Sequence, residues 1–401
     1  MIAFEQIAAI AKSTPTRIVL LVLDGLGGLP HPETGKTELE TASTPNLDRL
    51  AREGVCGLVH TVSPGITPGS APGHLGLFGY DPLRFTVGRG ALEALGVDFD
   101  LRTGDVAARG NFCTTDHRGI VTDRRAGRIS SEVCAALCQM LDGMTIDGVA
   151  VIVAPVREHR FLVVFRGEGL ASEVTDSDPQ REGIPPKPIT PLTPTAEKTA
   201  HIAAEFVERA RGILAERHPA NMVLLRGFAC CPSFPSMNDV FHLKPAAIAS
   251  YPMYRGLAKT VGMDVLPTGL SFAKELSTLE RSYDSYDFFF VHVKGTDSAG
   301  EDGDFHRKVE VIEEVDQQLP ALTKLGPDVT IVTADHSTPA VLRGHSWHPV
   351  PFLLHSKWCR RDDVTHFSEM ACARGALGRF PAVDIMPLAL ANAQKLDKYG
   401  A

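Results

Sequence analysis

Residues 333–339 have the sequence Thr-Ala-Asp-His-Ser-Thr-Pro and follow the β-branched run Val-Thr-Ile-Val at residues 329–332. The run predicts a buried strand, so Asp335 and His336 lie at its carboxyl end, where open α/β sheets bind their ligands. A carboxylate and an imidazole are both donors that divalent metal ions use. A single Asp-His pair is more often part of a turn, so the metal hypothesis depends on whether other strands end in the same way.

Two other apolar runs do end at acids. Residues 17–23 form an apolar run that stops at Asp24, and the strongly apolar residues 286–293 precede a segment that contains Asp297. Taken alone, Asp24 is as typical of a turn as of a metal ligand. With His345, which follows in a Gly-His-Ser loop, the separated segments supply three acids and two imidazoles. That set is enough for a two-metal site, which can clamp a phosphate and lower the pKa of a nucleophile.

Ser70 is the candidate nucleophile for such a site. It lies in a glycine-flanked turn within residues 67–74, and this turn predicts the start of a short helix. Helix starts present free N–H groups and a positive dipole end, both of which favour phosphate. The alternative is an N-cap serine, which is the commoner role of an isolated serine. Metal coordination would activate the hydroxyl as a nucleophile.

The 401-residue chain is long enough for two domains, or for one large domain with an insertion. Its formal net charge of -8 argues against nucleic acid or an anionic membrane as the main partner. The eight cysteines are scattered and form no Cys-x-x-Cys pair, which favours reduced thiols over a disulfide framework. We see neither a signal peptide nor a membrane-length apolar run, so we expect a cytoplasmic protein.

Residues 104–247 are predicted to form an inserted domain. Short strand candidates alternate there with basic residues, most densely in Asp-Arg-Arg-Ala-Gly-Arg at residues 123–128. Arginine suits bidentate binding of phosphate and carboxylate groups. Any one of these arginines is more often part of a solvated charge run. Their concentration in one segment of an acidic protein nevertheless favours an anion-binding role.

Several longer motifs occur in a fixed order along the chain. They are Asp24-Gly25, Thr44-Pro45-Asn46, Ser70 with Gly79-Tyr80-Asp81-Pro82, residues 123–128, Lys294-Gly295-Thr296-Asp297, and residues 335–339 with His345. On these motifs the chain resembles, over essentially its whole length, the cofactor-independent phosphoglycerate mutases in their archaeal-type branch, within the alkaline phosphatase superfamily.

The resemblance implies an α/β fold with a three-layer α/β/α, alkaline-phosphatase-like domain that binds metal. This domain would comprise residues 1–103 and 248–401, split by a smaller α+β substrate domain at residues 104–247. The resemblance also implies two divalent metal ions, with manganese or magnesium expected before zinc or cobalt. It further implies a phosphoserine intermediate, protected from water by the inserted domain.

Carried onto this sequence, the family pattern makes Ser70 the nucleophile. The ligands of one ion would be Asp24, Ser70, Asp335 and His336, and those of the other would include Asp297 and His345. The groups expected to hold the phosphoglycerate are Asp123, Arg124, Arg160, Arg166, Arg226 and Arg255. Of these, Arg255 stands where relatives carry a lysine.

Glu301 departs from the family pattern, in which many members carry a histidine four residues after the Asp of the Lys-Gly-x-Asp segment. We expect Glu301 to share a glycine-containing loop with Asp297 and to ligate the second ion. A carboxylate in place of an imidazole adds negative charge and a harder oxygen, which favours manganese or magnesium over zinc. The alternative is a glutamate that points to solvent.

The activity implied by the resemblance is interconversion of 3-phosphoglycerate and 2-phosphoglycerate. The partner would be a small phosphorylated substrate, and the chain would act as a monomer or a homo-oligomer. One alternative is another metal-dependent phosphoryl-transfer enzyme on the same scaffold, either a phosphatase or a homoserine kinase, and Glu301 supports this alternative. A second alternative is a metal-stabilised binding protein, which the nucleophile Ser70 disfavours because a structural site needs none.

Overall fold

The computed structural model describes residues 3–400. In chain order the strands are β1 (Ile18–Leu23), β2 (Val55–His60), β3 (Val106–Thr115), β4 (Val121–Asp123), β5 (Met144–Ile146), β6 (Val149–Arg157), β7 (Arg160–Arg166), β8 (Met222–Cys230), β9 (Pro245–Ala249), β10 (Asp264–Val265), β11 (Phe288–Val293), β12 (Val329–Thr333), β13 (Val350–Ser356) and β14 (Gly378–Pro381).

The α-helices are α1 (Phe4–Ala8), α2 (Glu38–Thr41), α3 (Pro45–Glu53), α4 (Ser70–Leu77), α5 (Arg89–Gly96), α6 (Ser131–Leu141), α7 (Glu197–Leu214), α8 (Met237–Phe241), α9 (Pro252–Thr260), α10 (Phe272–Ser282), α11 (Gly295–Asp302), α12 (Phe305–Lys324), α13 (Glu369–Cys372) and α14 (Ile385–Asn392). Within the described residues, none of these helices has both the length and the apolar character needed to cross a membrane.

Contacts divide the chain into two compact units, Met1–Thr86 with Phe234–Ala401, and Val87–Ser233. The second unit therefore begins and ends earlier than the predicted insertion at residues 104–247. Its early start has a physical reason, because α5 packs on β3 and β8 of the second unit. At the other end, α8 packs on α1 of the first unit. Both boundary helices are short, and their sequences do not indicate which sheet they cover.

The first unit is built on an eight-stranded sheet with the order β10-β9-β11-β1-β12-β13-β2-β14. The five strands from β10 to β12 are parallel, whereas β13 pairs antiparallel with both of its neighbours. Every residue of β1, β11 and β12 is buried, which explains their continuous apolar sequences. This large, mostly parallel sheet with its helices confirms the predicted α/β class.

The register of the three central strands places their carboxyl ends side by side. Leu23 at the end of β1 pairs with Val293 at the end of β11, and Val22 pairs with Thr333 at the end of β12. The segments that follow these strands therefore begin at the same edge of the sheet. This register brings together acids that lie about 300 positions apart in the sequence.

The second unit has an antiparallel sheet with the order β4-β3-β7-β6-β5, and β8 pairs with β3. Its core is apolar and includes Phe112, Phe161 and Phe165 from the sheet, together with Leu137 of α6 and Phe206 of α7. A separate antiparallel sheet with its own helices matches the α+β character predicted for the insertion. Its predicted role as a substrate domain stays a prediction.

The segment after β11 differs from the predicted loop. Residues Gly295–Asp302 form α11, which ends at Gly303 in the left-handed conformation with φ 74°. Asp297 and Glu301 are therefore separated by about one helical turn and lie on the same side of the helix. The glycines of this segment suggested a loop, but here Gly295 begins the helix and Gly300 lies within it.

Candidate active site

Two groups of side chains that could hold a metal ion lie at the carboxyl edge of the large sheet. The first group is Asp24, Asp335 and His336, and the second is Asp297, His336 and His345. Within each group the donor atoms lie within 4.8 Å of one another. The structure thus brings together the acids and imidazoles that the sequence separated. His336 belongs to both groups, whereas the family pattern assigned it to one ion.

The first group converges on one nitrogen atom of His336. Its Nε2 lies 3.3 Å from Asp24 Oδ1, 3.1 Å from Asp335 Oδ2 and 3.3 Å from Ser70 Oγ. Ser70 is the first residue of α4, and Gly69 is the N-cap residue. The hydroxyl therefore lies beside the candidate ligands and at the positive end of a helix dipole.

A second observation indicates that a cation belongs in the first group. Asp24 Oδ1 and Asp335 Oδ2 are buried, and within the described residues neither accepts a well-aligned hydrogen bond, although imidazole nitrogens of His336 and His74 lie within 3.3 Å of them. Buried carboxylate oxygens that accept no well-aligned hydrogen bond are costly, so native structures seldom leave them in that state. A divalent cation would satisfy both oxygens, and the donor set therefore fits a metal ion.

The second group includes a histidine with an assigned tautomer. His345 Nδ1 lies 3.0 Å from the carbonyl oxygen of Pro68, which can only accept, so Nδ1 carries the proton. Its Nε2 is then free to ligate a metal, and it lies 3.6 Å from Asp297 Oδ1. The His345 ring also stacks on the His336 ring, with 3.6 Å between the ring centroids.

Thr338 orients the shared His336. Its hydroxyl donates to Asp297 Oδ1 at 2.6 Å, so it can only accept from His336 Nδ1, which lies 2.9 Å away. The Nδ1 proton leaves Nε2 available to ligate when the ring is neutral. His336 is therefore a candidate ligand of the first group, and the Thr338 hydroxyl links its ring to Asp297 of the second group.

Glu301 lies at the margin of the second group. Its Oε1 is 3.7 Å from His345 Nε2, and its side chain is 55% exposed. This position on α11 lets the carboxylate face His345 while much of it contacts solvent. The role of Glu301 as a ligand stays a prediction.

Lys294 lies between the two groups. Its Nζ donates to Asp24 Oδ2 at 3.1 Å and to Asp297 Oδ2 at 2.5 Å. The same nitrogen is 3.1 Å from the hydroxyl oxygen of Tyr254, and that hydroxyl donates to Asp24 Oδ2. Burial alone would lower the pKa of Lys294, but Asp24 and Asp297 outweigh it and raise that pKa. The ammonium therefore keeps its charge at neutral pH.

The protonation states of the acids suit metal binding. Burial alone would raise the pKa of Asp335, but the His336 and His74 imidazoles hold it well below the ordinary value. Burial also acts to raise the pKa of Asp297, but Lys294 outweighs it and that pKa is lowered. For His336, burial lowers the pKa while Asp335 raises it, and the result is a pKa of about 8. A metal ion must therefore displace a proton from His336 near neutral pH.

The second unit contains five of the six residues predicted to bind the substrate. Arg124 forms a bidentate pair with Asp178, at 3.0 and 2.7 Å, and Arg226 lies 3.6 Å from the same carboxylate. Arg166 is paired with Asp105 at 2.6 Å. The Asp123 carboxylate accepts from two backbone N–H groups, each at 2.7 Å, and so closes a turn. Acids of the same unit therefore engage three of the four arginines.

Arg160 has different surroundings, in a basic cavity of about 230 Å³. The residues around this cavity are Arg125, Arg128, Arg157, Glu158, His159 and Arg160. His159 is 3% exposed, and its Nδ1 has no hydrogen-bond partner among the described residues. Burial, assisted by Arg160, lowers the pKa of His159 to about 4, so the imidazole is neutral at pH 7. Such a cavity suits an anion. The sixth residue, Arg255, belongs to the first unit and lies in α9.

Comparison with known proteins identifies the family. The family model described as 2,3-bisphosphoglycerate-independent phosphoglycerate mutase matches residues 51–221. A protein of Thermus thermophilus, named as a probable enzyme of this kind, is 52% identical over 405 residues, which cover 99% of each chain. A similarly named protein of Thermosipho africanus is 50% identical over 399 residues, again with 99% of each chain covered. The chain belongs to the 2,3-bisphosphoglycerate-independent phosphoglycerate mutases.

Solved structures agree with this family. A cofactor-independent phosphoglycerate mutase from Thermoplasma acidophilum has a TM-score of 0.77 and 32% identity, and the match covers 94% of this chain and all of that one. A protein of Pyrococcus horikoshii has a TM-score of 0.82 and 29% identity, with 97% of this chain and all of that one covered. The resemblance on which the sequence prediction was based is therefore confirmed.

Several residues that contact the candidate ligands were not predicted from the sequence. His74 lies one turn after Ser70 on α4, and its Nδ1 is 2.8 Å from the Ser70 carbonyl and 3.2 Å from Asp335 Oδ2. The four-residue spacing on a predicted helix could have indicated it. Lys294 could have been found within its own motif. Tyr254 had no local signal, because it reaches Asp24 only through the packing of α9.

Proposed function

We propose that this chain interconverts 3-phosphoglycerate and 2-phosphoglycerate through a phosphoserine at Ser70. The observation that carries the proposal is the position of Ser70 Oγ, 3.3 Å from His336 Nε2, within a set of candidate metal ligands. A nucleophilic hydroxyl beside buried acids and an imidazole is the arrangement that phosphoryl transfer requires. Membership of the mutase family selects phosphoglycerate from among phosphorylated substrates.

Two divalent ions complete the proposed site. Asp24, Ser70, Asp335 and His336 would hold one ion, and Asp297, Glu301 and His345 would hold the other. When bound, the ions would lower the pKa of the Ser70 hydroxyl and neutralise charge on the transferring phosphoryl group. Most of these donors are oxygen atoms, so we propose manganese or magnesium ahead of zinc or cobalt.

The transfer balances without an external acid or reductant. Ser70 Oγ forms a bond to phosphorus, and the bond between phosphorus and the C3 oxygen of the glycerate breaks. Ser70 loses one proton, and the departing C3 oxygen gains one proton to become a hydroxyl. In the return step the C2 oxygen attacks the phosphoserine, and Ser70 recovers its hydroxyl. The Lys294 ammonium is charged at neutral pH and lies beside Asp24 and Asp297. It would stabilise the negative charge that the phosphoryl group brings next to these two carboxylates.

The glycerate must stay bound while its phosphoryl group is on Ser70. The basic cavity around Arg160 is our candidate for the carboxylate site, because four arginines and a neutral His159 surround it. Arg124 and Arg226 are secondary candidates, since Asp178 already holds them. Arg166 and Asp123 have stronger support as residues of the fold, because their partners satisfy them.

A direct assay tests the proposed activity. Phosphorus NMR of purified protein with MnCl₂ and 3-phosphoglycerate should show 2-phosphoglycerate, with little inorganic phosphate. Parallel samples with ATP and homoserine test the kinase alternative. Accumulation of inorganic phosphate alone would identify a phosphatase, and formation of O-phosphohomoserine would identify a kinase. Either result, without 2-phosphoglycerate, would contradict the proposal.

Arg160→Ala should raise the KM for 3-phosphoglycerate by about tenfold or more, because a charge-assisted contact contributes about 1.5–3 kcal/mol. Its Tm should stay close to the wild-type value. Arg166→Ala is the matched comparison in the same unit. Because Arg166 is paired with Asp105, its removal should lower the Tm and leave KM nearly unchanged. Steady-state kinetics and thermal melting check both variants, and the reverse pattern would exchange the two roles.

Glu301→His should increase the affinity for zinc relative to manganese, because an imidazole replaces a carboxylate beside His345. We expect mutase turnover to be kept or increased, since the site loses one negative charge. Metal titrations of wild type, Glu301→His and Glu301→Ala measure the effect. Identical affinities and preferences in all three proteins would show that Glu301 is not a ligand.

A further inference from the structure

Lys308 is a fully buried lysine in the first turn of α12, with 0% of its surface exposed. Lysine is almost never fully buried unless it has partners, so its position needs a specific reason. The side chain belongs to neither candidate metal group, and the proposed reaction does not use it. Its contacts indicate a different role.

All three donors of the Lys308 ammonium bond to backbone carbonyls. Nζ donates to the carbonyl oxygens of Gly25 at 2.9 Å, Gly27 at 3.1 Å and Thr338 at 2.8 Å. The first two carbonyls lie in the loop that follows Asp24, and the third lies in the loop that follows His336. One side chain thus joins the two loops that leave β1 and β12 and carry the first metal group.

The same two loops bond to each other at Thr338. Its backbone N–H donates to the carbonyls of Gly25 at 3.2 Å and Gly27 at 3.0 Å. Its hydroxyl contacts Asp297 Oδ1 and His336 Nδ1. A shift of the Thr338 backbone would therefore move the hydroxyl that orients members of both metal groups.

The charge of Lys308 is only partly compensated. Glu38 Oε1 lies 3.8 Å from Nζ, and Glu38 is itself fully buried and accepts from the backbone N–H of Ala340 at 2.7 Å. Removing an ammonium from water is costly, and the three carbonyls together with this carboxylate offset the cost. A neutral apolar side chain would avoid the desolvation cost but would leave the three carbonyls without the Nζ donor, so the ammonium is suited to joining the two loops.

We infer that Lys308 is a positioning residue for the metal centre, which holds the Asp24 loop and the Asp335–Thr338 loop at the spacing that metal binding needs. The inference rests on the proposed function only in taking Asp24, Asp297, Asp335 and His336 as ligands. It predicts that loss of the ammonium weakens metal binding by the folded protein, and does not merely lower stability.

The test is a titration of metal-free protein with MnCl₂, followed by the electron paramagnetic resonance signal of free Mn²⁺. The variants are Lys308→Met, which keeps the length without the donors, and Lys308→Gln, which keeps two donors without the charge. Lys324→Met is the matched control, because Lys324 is an exposed residue at the last position of the same helix, roughly 24 Å along the helix axis from Lys308. All titrations are made well below the Tm of each protein, with circular dichroism as the check on folding.

Lys308→Met should bind Mn²⁺ about tenfold or more weakly, as expected when the support of metal ligands is removed. Lys308→Gln should lie between it and the wild type, and Lys324→Met should match the wild type. Wild-type affinity in folded Lys308→Met overturns the inference. If Lys308→Met does not fold, Lys308→Gln decides by the same criterion, and failure of both to fold assigns Lys308 to the fold alone. If the wild-type protein binds no Mn²⁺, the proposed metal site itself is overturned. If the wild type and Lys308→Met bind Mn²⁺ equally well, only the role of Lys308 is overturned.

Discussion

Ser70→Ala lowers kcat for phosphoryl transfer by at least about a thousandfold, because removing an enzyme's nucleophile leaves no group to carry the covalent intermediate. The fold should be unaffected, since the change removes one half-buried oxygen atom at the start of α4. Metal content should be nearly unchanged, because Asp24, Asp335 and His336 remain. The interconversion assay, circular dichroism and metal analysis check the three parts of this expectation.

Ser63→Ala is the matched control for Ser70→Ala. Ser63 lies in the same connection between β2 and α4 and is also half-buried, so the same substitution tests the general effect of losing a hydroxyl there. We expect wild-type activity from this control. Mass spectrometry of quenched wild-type protein should also find a phosphoryl group on the peptide that contains Ser70. Activity of Ser70→Ala within tenfold of wild type would refute its role as nucleophile.

His336→Ala should abolish tight binding of one Mn²⁺ ion and lower kcat by about a thousandfold or more, since a bound metal contributes several kcal/mol to the transition state. The reason is that His336 Nε2 is the common neighbour of Asp24, Asp335 and Ser70. The second ion should be weakened too, because the His345 ring loses the ring on which it stacks. Titration with MnCl₂ and steady-state kinetics measure both effects.

Two other histidine variants sharpen this test. His345→Ala should weaken the second ion and leave the first nearly intact, because its Nε2 faces Asp297. His366→Ala is the control, since His366 is exposed and its Nδ1 contacts the hydroxyl of the neighbouring Thr365. Two unchanged ions in His336→Ala would contradict the assignment of the first group.

The buried strands and the acids after them were predictable from sequence. A strand covered on both faces must be apolar throughout, so β1, β11 and β12 are visible as continuous runs. The positions of Asp24, Asp297, Asp335 and His336 after those runs follow directly. The order of longer motifs was sufficient to predict the mutase family, which the comparisons confirm.

The sequence was less informative where one residue type is compatible with two kinds of structure or two roles. The glycines around Asp297 suggested a loop, yet they permit the close packing of α11, because a Cβ at Gly300 would collide with the carbonyl of Thr338. The insertion boundaries were also displaced, since α5 is too short to show which sheet it covers. Among the arginines, composition alone could not separate Arg166, which Asp105 holds, from Arg160, which faces a basic cavity.

By itself, then, the sequence determined which segments are buried strands and which donors follow them, because apolar periodicity and chain order are local properties. Only the tertiary structure showed that β11, β1 and β12 are neighbours whose carboxyl ends lie side by side. This arrangement brings together three acids that are distant in the sequence. The tertiary structure alone placed Tyr254 beside Asp24 and Lys308 between the two loops. These positions depend on strand pairing and helix packing, and the local sequence predicts neither of them.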